Sequence, residues 1–375
     1  MRIAMLSWRY LDNPAAGGAE VLTHEVLKRL VSAGHDITCF TATHPGAAPE
    51  GDIDGVRIVR RGRQWTVHLL AWRWLRSRIG EFDRVVDQIN TIPFLTPLYV
   101  DAERRRFYIH QLAREYWWRE TRGVLRLGAP VGYLLEPWYL RGYRRGRGVT
   151  VSESTRADLE ALGIEPANIA VIPMAIDVEP LEELSSKQGP WRMIILGRLT
   201  PAKFVEEGIR AFAKLQQSVP DAVLDIVGGG DERYRAQLER LTRRLAARNV
   251  TFHGRVDAAH KLEFLRRAHL HVITSHREGW GLTVTEAAAM GTPSVGYAVQ
   301  GVRDSIADPA LLVPSGDYHA IAELARELHD DRARYDGLRS AAWERASSLS
   351  YDVTARAFAA AIDVTIDAAV PAISL

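Results

Sequence analysis

Glu278 and Glu286 stand eight positions apart in the run Ser275-His276-Arg277-Glu278-Gly279-Trp280-Gly281-Leu282-Thr283-Val284-Thr285-Glu286. The glycines at 279 and 281 argue against a continuous helix between the two carboxylates, because glycine weakens helix interiors and suits unusual backbone angles. Glu278 is therefore expected on a loop, with a helix running from Thr283 through Met290 until Gly291 and Pro293 stop it. The first-turn N–H groups of such a helix have no intrahelical acceptor and can meet an anion. A loop carboxylate, glycines that admit sugar hydroxyls to backbone amides, and a helix end facing a diphosphate would together suit a sugar nucleotide, with Glu286 accepting the ribose hydroxyls. Thr283-Val284-Thr285-Glu286 is equally a capping box in which Glu286 closes back on the helix start. This stretch alone supports both readings.

Other segments carry further candidates. Arg198 and Lys203 lie five positions apart in Gly197-Arg198-Leu199-Thr200-Pro201-Ala202-Lys203, between a strand expected over Trp191 to Leu196 and a helix from about Phe204 to Gln217. Arginine chelates two oxygens and lysine adds a mobile point charge, so the pair could clamp a diphosphate; in isolation it could also be two solvated charges. His110 closes the strand expected over Arg106 to Gln111. Strand C-termini face the ligand crevice in open α/β sheets, which would put His110 beside a reacting group, although a lone histidine is often structural. Gly17-Gly18 opens a helix that runs to about Ala33, and it lacks the G-x-G-x-x-G fingerprint of dinucleotide binding. It either lets backbone amides approach a phosphate or sugar, or is only a tight turn. Gly228-Gly229-Gly230-Asp231 follows the strand Ala222 to Val227 and marks a close backbone approach. Asp52-Ile53-Asp54 lies between Gly51 and Gly55, a placement that reads as a β-turn rather than a metal site.

The elements that must position these residues alternate strand and helix throughout. The first half offers strands at Ile3 to Ser7, Ile37 to Thr41, Val56 to Val59, Arg84 to Ile89, Arg106 to Gln111, Val149 to Glu153 and Ile169 to Pro173. Ser185 to Pro190 is polar and carries Gly and Pro, which marks a linker, and a second alternation begins at Trp191. In that half each strand leads into a loop rich in Gly or charge, the pattern of a crevice lined by strand C-termini. A chain of 375 residues fits two domains. The expected division is 1–187, completed by a last helix at about 350–372, and 188–349.

Composition bounds the class. Hydrophobic residues make up 47% and charged residues 25%, as in soluble globular proteins. A single cysteine, Cys39, excludes an internal disulfide and a cysteine-based zinc site, and a reducing, cytoplasmic compartment is expected. The apolar run at Met1 to Ser7 is too short for a signal peptide, and no 18-residue apolar stretch exists. Between 103 and 147, eleven arginines face four glutamates and are interleaved with Tyr116, Trp117, Trp118, Tyr133, Trp138, Tyr139 and Tyr143. That region could be a solvated basic face, or it could hold an anionic lipid headgroup or lie on a membrane interface. Nucleic acid is not expected, since no nucleic-acid motif accompanies the charge.

Taken together, Glu278 with Glu286, Arg198 with Lys203 in Gly-Arg-Leu-x-x-x-Lys, Gly17-Gly18 and His110 resemble the family 4 (GT4) retaining glycosyltransferases, over nearly the whole chain. The resemblance implies an α/β GT-B fold, with two Rossmann-like doubly wound domains facing across a cleft and a C-terminal helix crossing back to the first. It implies that Glu286 binds ribose, that Arg198 and Lys203 hold the diphosphate, and that the base rests on backbone near Arg255 and Val256, beside Gly230. Glu278 and the backbone of Gly279, Trp280, Gly281, Leu282 and Thr283 would contact the donor, Gly17 and Gly18 would add an amide contact, and His110 would lie beside the reacting centre. Catalytic work would fall to His110, Arg198, Lys203 and Glu278, with no metal or other cofactor. Trp280 stands where phenylalanine is commoner in the family, and Asp304 in Gly301-Val302-Arg303-Asp304 replaces a glutamate.

The expected activity is transfer of a hexose from a UDP- or GDP-linked sugar to a hydroxyl with the anomeric configuration kept. The acceptor would be lipid-linked or anionic, gathered by the 103–147 region at the inner face of a membrane. Alternatives are a soluble natural-product glycosyltransferase, a nucleotide-sugar epimerase, a pyridoxal-dependent phosphorylase and a noncatalytic binding module.

Overall fold

The computed structural model describes residues 1–114, 129–306 and 308–366; Tyr116, Trp117 and Trp118 lie outside them. The chain divides into two compact units, one formed by Met1–Ala175 together with the chain from Ser350 onward, the other by Ile176–Leu349.

The first unit is built on strands β1 (Arg2–Leu6), β2 (Asp36–Thr41), β3 (Glu50–Ile53), β4 (Val56–Arg60), β5 (Arg84–Ile89), β6 (Arg105–Ile109), β7 (Arg147–Thr150) and β8 (Ile169–Val171). They form one sheet in the order β3-β4-β2-β1-β5-β6-β7-β8. Every pairing is parallel except β3 with β4. The runs Ile3-Ala4-Met5-Leu6 and Val85-Val86 are buried, as expected for parallel strands covered on both faces. Helices α1 (Gly18–Ser32), α2 (Val67–Arg76), α3 (Ala129–Leu140) and α4 (Glu153–Ala161) complete the described fold of this region.

The last helix, Tyr351–Ala361, packs on α1. Arg29 holds it with Nε 2.5 Å from Asp352 Oδ1, and Thr354 Oγ1 donates to Pro173 O at 2.9 Å. Just beyond it, Asp363 pairs with Arg106 and, at 3.0 Å, with Arg147, while Arg84 donates to the carbonyl of Ile362 at 2.9 Å. These contacts tie the end of the described chain to the N-terminal ends of β5, β6 and β7.

The Asp52–Asp54 segment is the end and turn of the β3–β4 hairpin, and β3 is a strand not foreseen in the sequence. Asp54 and Gly55 have φ of 51° and 79°, the consecutive left-handed pair that suits a tight hairpin. Asp52 Oδ1 accepts from Gly55 N at 2.9 Å, and Asp54 accepts from His24 Nε2 at 2.9 Å and faces Lys28 at 3.6 Å. Both carboxylates thus serve turn and helix contacts.

The second unit holds β9 (Arg192–Leu196), β10 (Val223–Val227), β11 (Val250–Gly254), β12 (Leu270–Ile273), β13 (Ser294–Tyr297) and β14 (Leu312–Val313). The sheet order is β11-β10-β9-β12-β13-β14, with all pairings parallel. Its helices are α5 (Val205–Leu215), α6 (Glu232–Arg244), α7 (Ala258–Arg267), α8 (Leu282–Ala289), α9 (Val302–Ser305), α10 (Tyr318–Asp330) and α11 (Arg332–Ser347). In α5, Val205, Ile209 and Phe212 recur at helical spacing and are buried against the sheet. Glu206 and Glu207 sit in its first turn, where the helix dipole favours negative charge.

The boundary between the units falls at 175/176, about a dozen residues before the polar stretch expected to carry it. Ile176 is buried in an apolar cluster with Leu265, Ala287 and Met290, and Val178 and Leu181 pack against it. Lys187 then donates to Arg266 O at 2.6 Å and to Thr292 Oγ1 at 2.8 Å. Apolar burial and this ammonium fasten residues 176–187 to the second unit, and composition alone carried neither signal. Among the described residues no helix is long and apolar enough to cross a membrane.

Candidate active site

In the second unit three loops at the C-terminal edge of the sheet are locked side by side by glycine. Gly197, at φ 146°, follows β9, and Gly228, at φ 145°, follows β10. A side chain on Gly228 would place its Cβ 1.8 Å from Gly197 O, and one on Gly230 would come 2.2 Å from Leu199 O. Leu199 N donates to Gly229 O at 2.8 Å and Gly228 N to Gly254 O at 2.8 Å. The close approach expected at Gly228 to Gly230 is therefore made to the chain's own backbone at Gly197 to Leu199. Gly230 is thereby placed as a support for the Arg198 loop, and Arg255 stands beside Gly229 in the third loop. Asp231 caps α6 by accepting from Arg233 N and Tyr234 N, and Val256 packs against the apolar cluster.

Arg198 is exposed and makes no ion pair with the described residues. After it, Pro201–Lys203 forms a single 3-10 turn and Phe204 takes the left-handed conformation at φ 47° to begin α5. Thr274, at the end of β12, donates to Lys203 O and Phe204 O at 3.0 and 2.8 Å. That hydroxyl stabilises a strained junction and fixes where Lys203 starts. The Lys203 ammonium pairs with Glu278 Oε1. Glu278 is fixed in turn by Glu278 N donating to Gln300 O at 3.0 Å. Gly301, at φ 77°, presses on the Glu278 carbonyl so closely that a Cβ there would lie 2.2 Å from its oxygen. Asp304 accepts from Gly301 N at 3.0 Å, so this shorter acid closes the turn beneath Glu278. Arg198, Lys203, Glu278 and Thr283 line one small open pocket floored by Val272 and Thr274.

Helix α8 starts at Leu282, with Gly281 at φ 94° as its N-cap and no side-chain cap. Glu286 is thus the fifth helical residue, beyond the reach of a capping box, and the box read from Thr283 to Glu286 does not form. Its carboxylate instead accepts from Lys261 Nζ on α7 at 2.8 Å. Trp280 is buried, donates Nε1–H to Thr285 Oγ1 at 2.9 Å and lies under the guanidinium of Arg345. Its indole therefore braces the start of α8. In the first turn of α8 Val284 N already donates to Gly281 O at 2.9 Å, whereas the amides of Leu282 and Thr283 have no intrahelical acceptor, and Thr283 borders the same pocket.

In the first unit Gly17 caps α1, but its own N–H donates to Glu20 Oε2 at 2.7 Å. Glu20 is buried and also accepts from Arg9 and Asn90. The Gly17 amide is therefore already engaged by Glu20, while Gly18 N, first in the helix, has no intrahelical acceptor. His110 follows β6, its ring tilted at 46° against that of Tyr108 with centroids 4.5 Å apart. Its Nδ1 and Nε2 are buried and have no hydrogen-bond partner among the described residues. Burial pushes its pKa down to about 4, so the ring is neutral across the physiological range. The loop beyond it is held by Glu136 of α3, which accepts from Ala113 N at 2.5 Å and Arg114 N at 2.7 Å.

Lys261, Thr274, Glu20 and Glu136 were not read from the sequence. Glu20 had a signal, being the fourth residue of Gly-Gly-x-Glu at a helix start. The other three act across separations of 22 to 71 positions that no local pattern marks.

A cationic loop, a paired acid and an open helix start lie at the C-terminal edge of a parallel sheet, in a chain of two such α/β units, and the comparisons with known proteins identify this as a GT-B glycosyltransferase fold. Residues 16–180 match the model "Glycosyltransferase Family 4" and residues 179–345 match "Glycosyl transferases group 1". The chain accordingly belongs to the family 4 glycosyltransferases, which move a sugar from a nucleotide-sugar donor. It is 27% identical over 385 residues to glycogen synthase of Mycobacterium tuberculosis, covering 93% of this chain and 91% of that one. To D-inositol 3-phosphate glycosyltransferase of Kribbella flavida it is 26% identical over 406 residues, covering 96% and 95%. Among solved structures, the Anabaena protein HepE in complex with UDP and glucose superposes with a TM-score of 0.70 at 16% identity, covering 97% of this chain and 99% of that one.

Proposed function

We propose that this enzyme transfers a hexose from a nucleoside diphosphate sugar to an acceptor hydroxyl with retention of the anomeric configuration and without a divalent metal. The observation that carries the proposal is the convergence of Arg198, Lys203 and the first turn of α8 on one pocket. Two cations and a helix start can balance the charge that develops on a departing diphosphate, the task a metal performs in other transferases. Glu278 orients Lys203 and faces the donor sugar, Glu286 takes the ribose, and Arg255 with Val256 presents backbone to the base. His110, neutral and with its ring nitrogens unengaged by the described residues, is suited to a hydrogen bond near the reacting centre.

For the acceptor, a lipid-linked or anionic molecule fits the surface of α3. Val131, Leu134, Leu135 and Trp138 are exposed there at 56%, 72%, 48% and 72%, and exposed Arg141 and Arg145 follow. Apolar side chains beside guanidinium groups suit the inner face of an anionic membrane, which agrees with a cytoplasmic enzyme.

The deciding experiment is a thermal-shift screen over UDP, GDP, ADP and their sugars, followed by turnover of wild type and Arg198→Ala with the donor so found. The expected result is a loss of kcat far larger than any change in acceptor KM, with chelator leaving wild-type turnover unchanged and the product keeping the donor's anomeric configuration. Equal losses in kcat and acceptor binding, or inversion of the product, would refute it. Product formed with no acceptor present would favour an epimerase.

A further inference from the structure

The Lys261–Glu286 pair joins α7 to α8 across 25 positions, and both side chains are mostly shielded, at 27% and 16% exposure. Several other pairs in this unit differ, since Arg266 with Glu263 and Arg326 with Glu323 are three apart on one helix and open to water. Solvated pairs of that kind contribute little. A shielded pair between two helices loses more hydration and must be held by its geometry. The geometry here is well supported: Asp257 caps α7 by accepting from His260 N at 2.9 Å, and Lys261 N donates to Asp257 O at 3.0 Å. Lys261 thus lies one turn into a helix that starts two residues after Val256.

We propose that Lys261 is a positioning residue for the ribose of the donor nucleotide, an inference that rests on the reading of Glu286 as the ribose ligand. A free glutamate side chain has three rotatable bonds and must be ordered before it can accept two vicinal hydroxyls at once. Lys261 occupies one lone pair of Oε1, which leaves Oε2 and the second lone pair of Oε1 for the 2′- and 3′-hydroxyls. A carboxylate is a charged acceptor and makes the stronger hydrogen bonds. Lys261 therefore sets how sharply the site separates a ribonucleotide from its 2′-deoxy counterpart.

The test is calorimetric titration of the full chain with UDP, GDP and ADP and with their 2′-deoxy forms, using wild type, Glu286→Gln, Lys261→Met and Lys261→Arg. For the diphosphate that wild type binds best, the ribo form should bind about tenfold tighter than the deoxy form, and Glu286→Gln should bring that ratio close to one. Lys261→Met should lower the ratio at least about threefold, Lys261→Arg should restore it, and Lys261→Met should change nothing further in the Glu286→Gln background. Equal weakening of both forms by Lys261→Met, with the ratio kept, would overturn the inference and leave Glu286 as ribose ligand. A ratio that Glu286→Gln does not alter would overturn the reading of Glu286, and this inference with it.

Discussion

The ammonium of Lys203 is paired with the carboxylate of Glu278, 75 positions later in the chain. Two loops that follow different strands thus meet at one charge pair on the rim of the pocket. A diphosphate at that rim would compete with Glu278 for the lysine and would be repelled by the carboxylate. Glu278→Gln should therefore bind a nucleoside diphosphate tighter, by about threefold to tenfold at low salt. Turnover should fall in the same variant, because the sugar contact and the placement of Lys203 are both lost. Titration of UDP, GDP and ADP against wild type and variant measures the first effect; weaker binding in Glu278→Gln would show that the carboxylate supports the diphosphate rather than opposing it.

Gly301 offers a test of how rigidly Glu278 must be held. At φ 77° and with the Glu278 carbonyl 2.2 Å from an added Cβ, Gly301→Ala meets both backbone strain and a collision. The strain alone costs about 1 to 2 kcal/mol, and the collision displaces Glu278. The expected outcome is a Tm lowered by a few degrees with kcat reduced at least about tenfold, since about an ångström at a reacting centre is worth more than that. A Tm drop with unaltered kcat would mean that the position of Glu278 does not limit the reaction.

Much of this site was legible because its chemistry is local. Arg198 and Lys203 share one loop, Glu278 is fenced by glycines, and Gly228 to Gly230 announced a close approach by composition alone. What failed depended on partners far away in sequence. The capping box from Thr283 to Glu286 fits the residue types, yet Gly281 begins the helix early and Lys261 takes the carboxylate. Ser185 to Pro190 has the composition of a linker, yet Lys187 fastens it to Arg266 and Thr292. The strand β3 carries Gly51, Asp52 and no buried face, so no alternation could reveal it. Its pairing with β4 is visible only in three dimensions.

Asp363 provides a stability switch in acid. Its hydrogen bond from Arg106, then the charges of Arg106, Arg147 and Arg84, hold its carboxyl below the ordinary value. A carboxyl depressed on folding stabilises fully above its unfolded pKa, about 3.9, and that contribution is lost as pH falls through the folded value. The side chain is 36% exposed, so the effect is modest. Asp363→Asn should lower Tm at pH 6, and the difference from wild type should shrink as pH falls below the unfolded pKa of about 3.9. A constant difference between the two proteins from pH 6 to 3 would remove Asp363 from the acid response.

Three buried histidines act at higher pH and in a separable window. Burial pushes His110 down to about 4, while burial and then nearby cations push His269 and His271 down to about 3. Those cations are Arg332, Lys187, Arg192 and Arg339 around His269, and Lys203 near His271. The unfolded chain takes up these protons near pH 6.5, whereas the folded protein does not until about pH 4. Between those values the unfolded state binds more protons, so stability rises with pH through the window and falls on acidification. Each fully neutral histidine contributes a slope of up to about 1.4 kcal/mol per pH unit. His271 is the cleanest to remove, since it is wholly buried and, among the described residues, its Nδ1 meets only Ser294 Oγ, at 2.8 Å. His271→Leu should therefore be less stable at pH 7, where the Ser294 contact is lost, yet lose less stability than wild type between pH 6.5 and 4.5. Urea unfolding at four pH values across that interval measures both slopes. Parallel slopes would mean that His271 is protonated within the fold and that its neutral, buried state does not drive the acid response.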